Sequence, residues 1–286
     1  MARKNQKIVR AIDVGSNETK YTISDSREDN LIACEKFPSF QGLRVTMACS
    51  SPHLIDHAGR YKCGDCGNGP GTINRLQKQY VQTISEFALV CGALQRMKLS
   101  RIDVLTIGVP LSSYQISKAY LQRELNTKLV SFGSKTVSIG EVLVFPSGFG
   151  TIYDFKEVNK FTWEGRKNYL IIDVGCQYLC AYVFQGTHVY EKRIGSTTIG
   201  STPFSLKGGE GQANIENVDE SMEWVRAVIS DDGDIDRVIV NGGGGLHLYK
   251  AIRRAWSQYE VSLSNQPFLS NVRGLQLKAE ADLLTS

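Results

Sequence analysis

No stretch of the 286-residue chain approaches the roughly 18 uninterrupted apolar residues that a membrane-spanning helix requires. The opening Met1-Ala2-Arg3-Lys4-Asn5-Gln6-Lys7 runs directly into a predicted strand, without the apolar core of a signal peptide. A cytoplasmic protein with no membrane partner is expected. Charge of one sign is also scarce: 33 Lys and Arg against 29 Asp and Glu leave +4, spread along the chain rather than gathered in a block. Such a surplus supplies no footprint for nucleic acid, and no direct sequence-specific DNA contact is expected. The seven cysteines lack regular spacing, which in a chain without a secretion signal points to reduced thiols instead of a disulfide framework. Asn17-Glu18-Thr19 fits a glycosylation sequon that has no consequence in a cytoplasmic protein.

What is present is a 42% hydrophobic content, enough for one large or two ordinary domains with their own cores. Lys7 to Asp13 reads as a buried strand and Lys20 to Ile23 as its partner, joined by Gly15-Ser16-Asn17. Residues 30 to 75 read as an irregular strand-and-turn region, with Ala58-Gly59-Arg60 as one hairpin turn and Gly67 to Gly71 as a loop. From Gln77 to Met97 the apolar residues Tyr80, Ile84, Phe87, Ala88, Cys91 and Leu94 recur at helical spacing, predicting one long amphipathic helix. A strand at Ile102 to Gly108, a break at Val109-Pro110, a helix around Ser113 to Glu124 and a strand near Glu141 to Phe145 follow. This alternation predicts an α/β architecture.

The second half repeats the opening. Tyr169 to Gly175 is an apolar strand ending in Asp173-Val174-Gly175, and Leu179 to Phe184 returns beside it. Asp13-Val14-Gly15 and Asp173-Val174-Gly175 are two copies of one device, which suggests two similar domains. A strand at Arg237 to Val240 then enters Gly242-Gly243-Gly244-Gly245 and a helix from about Leu246 to Trp256.

A polyphosphate carried with a divalent metal needs close backbone N–H donors, small residues at turns, and carboxylates that hold the metal or its waters. Ser16 and Asn17 can donate to phosphate oxygens, Lys20 can supply positive charge, and Asp13 and Asp173 can hold water-coordinated magnesium. The four glycines form a strand-to-helix turn whose backbone can press against a flat base or sugar. Either Asp-x-Gly alone is usually just a turn. Two copies followed by strand, glycine run and helix make the phosphate-1, phosphate-2 and adenosine layout of the actin, sugar-kinase and heat-shock-chaperone superfamily.

Within that superfamily the chain resembles the ParM/StbA plasmid-segregation actins over nearly its whole length. Ile12 to Lys20 is similar to their first phosphate motif, Arg60 to Asp65 to their Tyr-x-x-Gly hairpin, and Gly108-Val109-Pro110-Leu111 to their strand-end motif. Leu170 to Gly175 matches phosphate 2, Val238 to Gly245 the adenosine loop, and Phe268 to Gly274 the C-terminal Asn-x-x-Gly helix. The resemblance implies an α/β, actin-like two-domain fold of duplicated ribonuclease H-like domains around a nucleotide cleft. Domain I would span 1–146, with a strand-rich subdomain at about 30–75. Domain II would span 147–264, and a helix at 265–286 would return to domain I. It further implies binding of ATP or GTP with Mg2+, self-association into filaments, and segregation of plasmid DNA through an adaptor bound at the plasmid centromere. Asp13, Gly15, Ser16, Asn17, Lys20, Gly175, Cys176, Gln177 and Gly242 to Gly245 would bind nucleotide, with Asp173 and Ser147 at the catalytic positions.

Three departures qualify this pattern. Where the family has Glu or Gln after a proline, this chain reads Phe145-Pro146-Ser147, and serine accepts a proton poorly. The second phosphate motif reads Gly175 to Cys180 without the usual threonine and second aspartate, so a slow ATPase or GTPase is expected. Only some 70 residues separate Asp173 from the glycine loop, a shortening shared with AlfA-type actins, which leaves Ser205 to Asn217 as the stub of an upper subdomain and the nucleotide partly exposed. Two rival functions stay open: a structural or regulatory homologue with little turnover, and a small-molecule kinase of the same superfamily, for which no aspartate base motif stands out. Cys63 and Cys66, with Cys49, His53 and His57 upstream, admit a zinc reading, although the family hairpin already accounts for the local pattern. Cys91, Cys176 and Cys180 read as core or turn residues, His247 as a helix histidine near the base, and Lys250, Arg253 and Arg254 as a solvated face.

Overall fold

The computed structural model describes residues 7–28, 31–39, 48–49, 79–132, 135–162, 164–176, 178–186, 188–197, 215–229 and 234–285. The chain divides into two compact units, Met1–Pro146 with Leu275–Ser286, and Ser147–Gly274.

In the first unit β1 (Val9–Val14), β2 (Glu18–Glu28) and β3 (Leu31–Pro38) form an antiparallel meander. After β4 (Ala48–Cys49) and α1 (Gln79–Met97), β5 (Arg101–Val109) lies parallel to β1. Helix α2 (Tyr114–Leu125), β6 (Leu129–Phe132) and β7 (Lys135–Pro146) complete a sheet of order β3-β2-β1-β5-β7-β6-β4. Every residue of β1 is buried, as in a central strand covered on both faces, and four of its six are apolar; Arg10 and Asp13 are the exceptions, Asp13 near the strand's end. The expected stripe of α1 joins the core of this sheet through Phe87, Cys91 and Leu94, and Ala88 is also buried; the Tyr80 and Ile84 side chains lie outside the described residues. Glu86, fully buried on the same helix, accepts the hydroxyls of Ser113, at 2.9 Å, and Ser117. Those two hydrogen bonds offset the cost of enclosing a carboxylate.

The second unit repeats the plan. Helix α3 (Thr151–Asn159) precedes a meander of β8 (Asn168–Val174), β9 (Leu179–Gln185) and β10 (His188–Thr197). After α4 (Ile215–Ile229), β11 (Arg237–Asn241) lies parallel to β8, and after α5 (Gly245–Ala255), β12 (Glu260–Leu263) lies parallel to β11. The order β10-β9-β8-β11-β12 reproduces β3-β2-β1-β5-β7 strand for strand. The duplication suggested by the two Asp-x-Gly hairpins is therefore a duplication of topology, and the fold is the two-domain actin-like α/β fold. Leu170, Ile172 and Val174 share a core with Met222 and Val225 of α4, Leu248 and Ile252 of α5, and Trp256 just beyond α5. Among the described residues no helix is long and apolar enough to cross a membrane.

The structure differs from the sequence expectation in several elements. The strand expected near Glu141 to Phe145 begins at Lys135, because its polar first half pairs with β6, from Leu129 opposite Ser138 to Phe132 opposite Lys135. Residues 215–217, read as part of a stub, open the helix α4; 205–214 lie outside the described residues. Most of the 30–75 region also lies outside them, including Arg60 to Gly71, Cys63, Cys66, His53 and His57, whereas 31–38 joins the main sheet as β3.

The last helix, α6 (Pro267–Thr285), supplies residues to both units. Its first turns lock onto the start of α3. Asn271 Oδ1 accepts the Gly150 N–H at 2.9 Å, and Arg273 forms a fork on Asp154 at 2.7 and 2.8 Å while also reaching the Asn265 carbonyl at 2.6 Å. Arg273 and Asp154 are almost fully enclosed. Burial pushes the Asp154 carboxyl above its ordinary value, and the guanidinium pulls in the opposite direction.

Candidate functional site

Asp13 is the last polar residue of β1 before the first hairpin turn, flanked by Lys20 on β2 and Gly108 on β5. Lys20 Nζ lies 3.7 Å from Asp13 Oδ2, with both side chains largely enclosed. The turn closes with Gly15 N–H on the Asp13 carbonyl at 3.1 Å, and the Asn17 carbonyl accepts the Ser39 N–H at 2.8 Å. Thr19 and Ser39 share a hydroxyl hydrogen bond of 2.8 Å that ties the hairpin to the end of β3. Ser16 is buried in the turn and Asn17 is exposed. The unit thus gathers Asp13, Gly15, Ser16, Asn17 and Lys20 within one hairpin, as the sequence motif requires.

Asp173 occupies the equivalent place in the second unit, at the end of β8, between Cys180 on β9 and Asn241 on β11. Asn241 Nδ2 donates to Asp173 Oδ1 at 2.8 Å. The second turn closes with Gly175 N–H on the Tyr178 carbonyl at 2.8 Å; Cys176 is half-buried, Cys180 is buried, and Gln177 lies outside the described residues. Ser147 and Gly148 lie beside this acid: a Cβ on Gly148 would stand 2.8 Å from the Asp173 Cβ. The Tyr182 hydroxyl, donating to the Ser147 carbonyl at 2.5 Å, holds that turn in place. Asp173 and Ser147, assigned from separate motifs, are thereby neighbours within one unit.

The glycine loop serves the same corner, and its members have different tasks. Gly242 adopts φ +83, and a Cβ there would meet the Val174 carbonyl oxygen at 2.4 Å. Gly242 N–H donates to Pro267 O at 3.1 Å and Gly244 N–H to Val174 O at 2.9 Å, so these amides build the turn. Gly243 is exposed and has nothing within 4 Å of its Cβ position, leaving an open backbone face. Hard carboxylate oxygens at Asp13 and Asp173 suit water-coordinated magnesium, and the open face of Gly243 suits a planar ring. Gly242→Ala is expected to lower stability by about 2 kcal/mol, through a left-handed backbone and a close approach that no Cβ fits. Gly243→Leu is expected to leave the unfolding midpoint within about 0.5 kcal/mol of wild type while weakening nucleotide binding at least about tenfold, read by fluorescence titration. Equal loss of stability in both variants would refute this division.

The sequence motifs do not single out Asn241, Gly148 or Tyr182. The one available signal was the position of Asn241, the last residue of a strand directly before a glycine turn, as Asp173 is of β8. Cys91 and Cys180 are buried, as expected of core residues, and Lys250, Arg253 and Arg254 are exposed. His247 lies within α5, and its side chain lies outside the described residues.

Residues 11–150 match the family model described as the N-terminal domain of actin-like proteins. No curated protein sequence matches. Among solved structures the chain is similar to the archaeal actin homologue Ta0583 in complex with ADP, at 14% identity and a TM-score of 0.72, over 96% of this chain and 99% of that one. It is similar to the psk41 ParM protein in its apo form, at 16% identity and a TM-score of 0.61, over 97% and 98%. A third likeness is to the AlfA filament bound to AMPPNP, at 14% identity and a TM-score of 0.63, over 98% and 99%. The match to the family model is confined to the N-terminal half, whereas the structural likeness extends over nearly the whole chain. The fold is that of these actin homologues.

Proposed function

We propose that this protein is a nucleotide-dependent, filament-forming actin homologue that binds ATP or GTP with Mg2+ and segregates plasmid DNA in the cytoplasm through a DNA-bound adaptor. The observation that carries the reading is the repeated topology in which each central strand ends in an acid beside a glycine-turned hairpin, Asp13 in one unit and Asp173 in the other. The bound ADP of the archaeal homologue and the AMPPNP of the AlfA filament support nucleotide as the ligand, and that filament supports self-association. Both hairpins serve nucleotide binding: Ser16, Asn17 and Lys20 in the first, Gly175, Cys176 and Gln177 in the second, with Gly242 to Gly245 forming the loop for base and sugar.

A second reading, nucleotide binding with little hydrolysis, is favoured by one observation. The Ser147 carbonyl accepts the Tyr182 hydroxyl, and at the position where the resemblance would put a longer proton-accepting side chain the serine hydroxyl is a weak base. Mixing purified protein with ATP or GTP and Mg2+ while recording light scattering, electron micrographs and phosphate release separates the readings. Polymer with phosphate release supports the first, and polymer without release supports the second. Sugar-dependent consumption of ATP without polymer would overturn both in favour of a kinase.

A further inference from the structure

The antiparallel register of β8 and β9 sorts their side chains between two faces. Leu170, Ile172 and Val174 of β8 face the core shared with α4 and α5. Asp173 with its partner Cys180, Ile171 with Tyr182, and Tyr169 with Phe184 therefore stand on the opposite face, because directly paired residues share a face and successive residues alternate. The segment that leads into α3 is fastened to this second face at successive points. The Tyr182 hydroxyl donates to the Ser147 carbonyl at 2.5 Å, and the Phe149 and Phe184 rings meet at 5.4 Å between centroids. Beyond α3, Phe161 meets Tyr169 edge-on at 5.5 Å.

Between the first two fastenings Gly148 adopts φ +91, and a Cβ there would stand 2.8 Å from the Asp173 Cβ and 3.1 Å from the Tyr182 ring. The turn is thus seated on Asp173 and Tyr182 together, with no room for a side chain between. Its far end is held as well, the Gly148 carbonyl accepting the Thr151 N–H at 3.2 Å where α3 begins. Asp173 is fixed separately from β11: its Oδ1 accepts Asn241 Nδ2 at 2.8 Å, and Asn241 Oδ1 accepts the Ser264 hydroxyl at 2.7 Å. With the acid so placed, the height of the turn above it depends on Tyr182, which is fully buried and spends its hydroxyl on the Ser147 backbone. We infer that Tyr182 is a positioning residue: by holding the Ser147 carbonyl while Gly148 closes on Asp173, it sets the separation and orientation of Ser147 relative to that carboxylate. The inference concerns the second unit alone and rests on the first reading above, nucleotide binding with phosphate release. A displacement of about 1 Å between groups that act together costs on the order of 100-fold in rate.

The test compares wild type, Tyr182→Phe and Tyr169→Phe in the full chain. Both substitutions keep a ring on the same face of the sheet and remove one hydroxyl. The Tyr169 hydroxyl accepts the Glu164 N–H at 3.3 Å, at the opposite end of β8 from Asp173. Phosphate release is measured against ATP or GTP concentration with Mg2+, at matched light scattering, alongside nucleotide affinity by fluorescence titration and thermal unfolding. Tyr182→Phe is expected to lower kcat about 10- to 100-fold with KM and affinity within about threefold of wild type. Tyr169→Phe is expected to keep kcat within about twofold. A folded Tyr182→Phe variant with wild-type kcat overturns the inference, as does an equal fall in both variants, which would make the effect one of packing. A rise in KM at unchanged kcat overturns it in favour of a role in binding. If Tyr182→Phe does not fold, its hydroxyl is a stabilising group and the inference fails. Wild-type protein that binds nucleotide and releases no phosphate overturns this inference and leaves the binding reading standing; wild-type protein that binds none overturns both.

Discussion

Gly274→Ala is expected to destabilise the second unit by about 4 kcal/mol or more, a loss large enough to consume much of the stability of an ordinary domain. The reason is steric. A Cβ on Gly274 would fall 1.7 Å from the Gly150 carbonyl oxygen and 2.4 Å from its carbon, well inside any permissible contact. Gly150 cannot yield cheaply. Its carbonyl accepts the Tyr153 and Asp154 N–H groups at 2.9 and 3.3 Å at the start of α3, and its own N–H is held by Asn271. Moving it would also disturb the buried Arg273–Asp154 fork, in which a separated partner is left charged and enclosed. Thermal or urea unfolding followed by circular dichroism reads the effect, with a fall in midpoint of roughly 10 °C expected. A change below about 1 kcal/mol would show that α6 and α3 separate without cost, and would remove this account of the Asn-x-x-Gly pattern.

Asp173→Ala is expected to slow phosphate release at least about 100-fold if this carboxylate organises the metal and its water. The loss should be separable from folding. Removing the carboxylate leaves the buried Asn241 Nδ2 without its acceptor, a cost of about 1–3 kcal/mol, so the variant should remain folded with a modestly lowered midpoint. Magnesium-independent nucleotide binding should persist. Unchanged turnover in a folded Asp173→Ala variant would withdraw Asp173 from the chemistry and leave it as a strand-end residue.

The two hairpins and their acids were legible because local physics dictates them. A run such as Tyr169 to Ile172 is apolar at every position, as a strand buried on both faces must be, and the Asp-x-Gly that ends it marks where the sheet stops. The long stripe of α1 was legible for the same reason, since its period is set by the helix itself. Other elements were not. Helix α3 is short and carries Asp154 on its buried side, and β12 is a four-residue edge strand without a fully buried residue. Neither announces itself by period.

By itself the sequence determined the α/β character of the chain, the internal repeat, and the place of Asp13, Asp173 and the glycine run at strand ends. These follow from backbone geometry and apolar spacing over a few neighbouring residues. Only the tertiary structure decided what surrounds those acids. Asn241 lies 68 positions from Asp173, Ser264 another 23 beyond it, and Tyr182 reaches back 35 positions to Ser147. Nothing local in the chain ties such residues together. They meet because parallel strands align residues by register across the sheet, and that register placed an amide beside one acid where the matching hairpin placed a lysine beside the other.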